Sequence, residues 1–151
     1  MVRVIATGTF EIIHPGHLRF LQEAKKLGDE LIVIVARTKN VKHKPKPVVP
    51  EEQRRKVVES IRYVDKAVLG DKEDIFKPIL ELRPDIIALG HDQHFDEKWL
   101  EEELRKRNIN AKVIRIKAKE PCEFCSSAKI ISALIESRIG RKPERDRSGK
   151  N

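Results

Sequence analysis

The sequence predicts an α/β fold, a doubly wound, five-stranded parallel sheet with strand order 3-2-1-4-5, and two observations lead to it. Five short apolar, β-branched runs alternate with longer amphipathic ones, and strands that alternate with helices form a parallel sheet covered on both faces through right-handed crossovers. At 151 residues the chain suits one core and is short for a second domain.

The run "VRVIAT" is the first strand. Pro15 suits the opening turn of a helix that runs to about Leu27 and stops at Gly28. "ELIVIVA" is the second strand, and Pro50, Glu51 and Glu52 open a second helix with both carboxylates at the end that favours them. "DKAVLG" is the third strand, followed by a short helix over residues 75–82 that Pro78 interrupts early. "PDIIALG" is the fourth strand, and "DEKWLEEELRKRN" a helix capped by Asp96. "AKVIRIK" is the fifth strand, and "SSAKIISALIESRIG" a last helix capped by Ser126 or Ser127 and ended by Gly140. The domain fills residues 1–140, and the polar residues 141–151 are expected to be disordered.

Composition narrows the function classes. No apolar run approaches the roughly 20 residues that span a bilayer, and the start "MVRVIATGTF" lacks the regions of a signal peptide. A cytoplasmic protein without a membrane partner is expected. Charged residues make up 37% of the chain, with three Gln and four Asn, a balance that leans towards heat adaptation. The net charge of +8 invites a nucleic-acid partner, but one Trp and one Tyr offer little stacking surface and no basic-aromatic interleaving occurs. Nucleic acid is therefore not expected. The stretch "RTKNVKHKPKPVVP", residues 37–50, carries five Lys or Arg and no acid, and is either a solvated loop or a phosphate-facing one.

In the predicted sheet, ligands sit beyond the carboxyl ends of the strands where the order reverses, between strands one and four. "GTFEIIHPGH" after strand one and "GHDQHFD" after strand four meet there. His14 and His17 straddle a helix start, where free N–H groups and the helix dipole favour an anion. Phosphate contact is the leading reading; metal ligation and two unrelated structural histidines are the alternatives. His43, His91 and His94 add no compact ligand pattern, so no protein-held metal is expected. Neither GxxxxGK[ST] nor GxGxxG occurs.

"GTFE" followed by "HPGH" resembles the GTFD and HxGH signatures of the cytidylyltransferase-like nucleotidyltransferases, and "CSSAKII" resembles their late serine- and threonine-rich motif. Over residues 2–139, including "PEEQRR", "ILELRPDII" and the CxxC before the paired serines, the chain is similar to the archaeal FAD synthases of that family. The resemblance implies a Rossmann-like nucleotidyltransferase that moves AMP from ATP to FMN, giving FAD and pyrophosphate, with a divalent cation such as Mg2+ on the phosphates and a homodimeric assembly. Cytidylyl transfer to glycerol 3-phosphate or another small alcohol phosphate is the alternative. Carried over by residue, Thr9 and Phe10 line the nucleotide pocket, and His14, Pro15, Gly16 and His17 contact the ATP phosphates. Asp92 contacts the nucleotide, and Ser126 and Ser127 donate to phosphate. Lys42 and Lys44 are candidates for a phosphate-neutralising lysine, with Lys44 favoured. Cys122 and Cys125 are implied to be redox-sensitive thiols near the site, a half zinc site or inert thiols being the other readings. Glu11 stands where the family has Asp.

Overall fold

In a computed structural model, which describes residues 1–42 and 44–140, the apolar runs become strands β1 (Arg3–Gly8), β2 (Glu30–Val35), β3 (Lys66–Leu69), β4 (Ile86–Leu89) and β5 (Lys112–Arg115). They form one sheet ordered β3-β2-β1-β4-β5, with every pairing parallel, as expected. The tail expected at 141–151 and His43 lie outside the described residues.

Side chains alternate across the pleat, so each apolar strand supplies two cores. Val4 and Ala6 of β1 join Leu31, Val33 and Val35 of β2 beneath helices α1 (Pro15–Lys25) and α2 (Glu51–Glu59), which contribute Leu21, Ala24 and Val58. On the opposite face Ile5, Ile32, Ile34 and Ile87 pack under α3 (Phe76–Leu82) and α4 (Glu97–Lys106), which contribute Ile79, Leu100 and Leu104. The last helix, α5 (Ser127–Arg138), has no buried residue.

Two local expectations are corrected. α1 stops at Lys25 rather than near Leu27, because Leu27 N–H turns back to the Ala24 carbonyl and Gly28 N–H to that of Lys25, the tightened bonding of a closing turn. Pro78 does not interrupt α3. It is the third residue of that helix, where its missing N–H costs no intrahelical bond.

β1 leads into α1 on one face while β4 leads into α4 on the other, which opens a crevice at their carboxyl ends. Two arginines set the shape of its rims. Arg54 of α2 is 1% exposed. Its guanidinium donates to the carbonyls of Thr9 (2.7 Å), Ala36 (2.9 Å) and Val49 (2.9 Å) and to Thr38 Oγ1 (2.9 Å). One side chain thus fastens the segments that follow β1 and β2 to the one that precedes α2. Across the crevice, Arg115 at the end of β5 donates to the carbonyls of Gly90 (2.8 Å), Gln93 (2.9 Å) and Phe95 and to the Glu97 carboxylate (2.9 Å). Gln93 completes that rim: its Oε1 accepts from Gly90 N–H at 2.7 Å and its Nε2 donates to Thr7 Oγ1 at 3.0 Å.

Removing the Arg54 guanidinium strands three carbonyls in a region closed to water. Arg54→Met is expected to lower the unfolding free energy by about 2–5 kcal/mol, whereas Lys56→Met on the exposed side of α2 should stay within about 0.5 kcal/mol. Urea denaturation of both variants checks this, and equal effects would contradict the clamp.

Candidate active site

The first helix begins with an unusual cap. The N–H groups of a first helical turn lack intrahelical acceptors, and here a histidine supplies one. His14 is the N-cap of α1, and its Nδ1 accepts from Gly16 N–H at 3.1 Å. His17 answers from the third helical position: its Nδ1 faces His14 N–H at 3.4 Å. The two rings stack with centroids 3.8 Å apart. Gly16 is needed for this approach, since a Cβ there would lie 2.9 Å from the His14 ring.

This bonding decides the tautomers. An imidazole nitrogen that accepts a hydrogen bond carries no proton, so in each neutral ring the proton sits on Nε2. Burial keeps the rings neutral. It lowers the pKa of His14 against an opposing pull from Asp92. It also pushes His17 down to about 3, aided by the neighbouring His14 and by the Lys44 ammonium and opposed by Asp92. The structure therefore presents two N–H donors at the positive end of a helix dipole, a setting for phosphate oxygens.

Around this pair the sequence-predicted residues fall into place unevenly. Phe10 adopts φ 53° and is 4% exposed; its ring lies 5.1 Å from that of His17, so the side chain supports His17 from beneath. Thr9 lends its carbonyl to Arg54. Pro15 is exposed at the first position of α1. Asp92 and Lys44 are exposed, and both act electrostatically on His17. Ser126 caps α5, its Oγ accepting from Lys129 N–H at 3.4 Å. Ser127 Oγ donates to the Ile12 carbonyl at 3.3 Å, which brings the last helix against the first motif. Cys122 and Cys125 are joined as a disulfide in this structure. The Cys125 Cβ lies 3.7 Å from where a Cβ on Gly16 would stand, so the pair is next to the histidine motif. Among the described residues no group of three or more His, Cys, Asp or Glu could hold a metal ion. Also among them, no helix is long and apolar enough to cross a membrane.

Three supporting residues escape sequence reasoning. Arg54 shares the inward face of α2 with Val58, one turn on, and only that spacing hints that a charge is buried there. Arg115 and Gln93 give no local signal, because each acts on carbonyls or hydroxyls brought near by the fold. Glu11 carries a visible motif position, yet its partner is the N–H of Val48.

The depressed histidines make stability depend on pH. Held neutral by folding, His17 contributes stability that is complete above the ordinary pKa of 6.5 and is lost as pH falls towards about 3, since the unfolded chain takes up protons first, and His14, also lowered, acts in the same direction. Imidazole NMR titration of the ligand-free protein should place the His17 midpoint far below 6.5. A midpoint at or above that value contradicts the arrangement.

The chain is similar to known proteins. The model of the family described as Cytidylyltransferase-like matches residues 5–133. The FAD synthase of Archaeoglobus profundus is 74% identical over 136 residues, 90% of this chain and 88% of that one. The FAD synthase of Archaeoglobus fulgidus is 72% identical over 137 residues, 91% of this chain and 100% of that one. A solved structure, the lipopolysaccharide core biosynthesis protein from Thermoplasma volcanium, is 44% identical with a TM-score of 0.76, covering 80% of this chain and 98% of that one. A match that begins within β1 and runs into α5 takes in residues of all five strands and both histidines, and the chain belongs to the cytidylyltransferase-like family.

Proposed function

We propose that this chain is an FMN adenylyltransferase, which transfers AMP from ATP to FMN and releases FAD and pyrophosphate. The observation that carries the reading is the pair of neutral imidazoles whose Nδ1 atoms face backbone N–H groups and whose Nε2–H groups are left for phosphate. The relatives named FAD synthase, more than 70% identical over nine-tenths of the chain, support the substrate pair. A phosphate oxygen of FMN attacks the α-phosphorus of ATP in line. The bond from that phosphorus to the oxygen bridging the α- and β-phosphates breaks, and its electron pair leaves with pyrophosphate. Negative charge grows on the α-phosphate oxygens and on the leaving oxygen. His14 and His17 donate to it, and Lys44 and the start of α5 with Ser126 and Ser127 add further positive potential. Thr9 and Asp92 contact the nucleotide.

Among the described residues, no group of side chains makes a metal site of its own. A divalent cation, Mg2+ in the simplest case, would be carried by the ATP phosphates and would screen their charge. The exposed Ile131, Leu134, Ile135 and Ile139 of α5 and its cap support association with a second copy, giving a cytoplasmic homodimer. Because the Cys122–Cys125 disulfide abuts Gly16 and precedes the Ser126 cap, its closure and opening alter the start of α5. The thiol form is the active one.

The test pairs ATP or CTP with FMN or glycerol 3-phosphate, using reduced protein and Mg2+. FAD should form only from ATP and FMN; product from CTP and glycerol 3-phosphate alone would overturn the assignment. In the same assay His14→Ala and His17→Ala should each lower turnover about 100- to 1000-fold while the fold persists. Disulfide closure should inhibit reversibly.

A further inference from the structure

The first motif carries a carboxylate that the transfer chemistry leaves unused. Glu11 Oε2 accepts from the N–H of Val48 at 2.5 Å, 37 residues away in sequence. The Val48 side chain is 91% exposed, so packing does not hold this residue and the backbone bond does. Its neighbours are fastened separately. Val49 gives its carbonyl to Arg54, Pro47 is buried, and Lys46 Nζ donates to the Lys39 carbonyl at 2.9 Å, at the 3-10 turn Thr38–Asn40. Arg54 also fixes Thr9, two residues before Glu11. Both ends of the Glu11 to Val48 contact are therefore set by one buried guanidinium. Four residues before Val48 is Lys44, exposed, with its charge acting on His17.

We infer that Glu11 is a positioning residue for ATP: through the Val48 N–H its carboxylate joins Arg54 in holding the segment after Lys44 to the first motif, so that the Lys44 ammonium stays within electrostatic reach of His17. This rests on the nucleotide-transfer reading of the site. The tether places a negative charge at the base of a segment that carries positive charge and leaves the ammonium itself unpaired by that carboxylate, ready for phosphate. A carboxylate can hold a backbone N–H in this way without touching substrate, and an amide of the same length can keep the acceptor.

The experiment measures amide exchange and ATP affinity, neither of which needs FMN. In ligand-free protein, Glu11→Ala should speed exchange of the Val48 amide by about tenfold, the scale of one hydrogen bond to a charged group, while Glu11→Gln should stay near the parent. By calorimetry with Mg2+ and ATP, Glu11→Ala should weaken binding about tenfold in the parent but less than about twofold when Lys44→Ala is already present, because two residues acting as one unit are not additive. Unchanged exchange in Glu11→Ala, or the same loss of affinity in both backgrounds, overturns the proposal. Failure of the FMN assignment would appear in the FAD assay and leave these readings intact.

Discussion

The N–H of Gly16 needs an acceptor at the start of α1, and the Nδ1 of His14 provides it. From that bond the rest of the site follows. It fixes the proton of His14 on Nε2, turns the ring against His17, and requires that residue 16 have no side chain. His17 repeats the arrangement towards the His14 N–H. Both rings then have one nitrogen committed to backbone and the other bearing a proton. Neither has a free lone pair with which to attack phosphorus, so what each ring has left to offer is an N–H donor. Burial strengthens the same outcome by disfavouring the imidazolium. A cap that would serve only to finish a helix in another protein here also leaves two neutral N–H donors side by side.

The crevice around this pair is held by charge placed where it cannot act on substrate. Arg54 and Arg115 spend their donors on carbonyls of the two rims, and Gln93 ties one rim to Thr7 of β1. Such groups are costly to bury unless every donor finds a partner. In return they fix irregular backbone that has no ladder of its own. Lys44, by contrast, is exposed, and the segment that carries it is held through backbone bonds. The cations around the site divide into buried clamps and an exposed lysine, a division that net charge alone does not reveal.

Much of the sheet was legible because its signals are local. The five apolar runs are β-branched and bounded by turn residues, and the motifs after strands one and four lie where a doubly wound order must reverse. Asp96 reads as a cap and is one, and of the two candidates Ser126 and Ser127 it is Ser126 that caps α5. What stayed hidden depends on distance in sequence: Arg54 serves carbonyls at 9, 36 and 49, and Glu11 meets Val48. The positive φ of Phe10 and its ring contact with His17 likewise give no signal in the sequence. Pro78 reads as a break, yet its place in the first turn makes it harmless.

The central claim is that His14 and His17 donate to the transferring group and never bond to it. The most direct measurement is the stereochemical course at the α-phosphorus, using ATP made chiral there by sulfur substitution and reading the configuration of the flavin dinucleotide formed. One in-line displacement inverts the centre, which is the result this account predicts. Retention would require two displacements through a covalent bond between phosphorus and the protein, and it would contradict the single direct transfer in which both histidines serve only as donors.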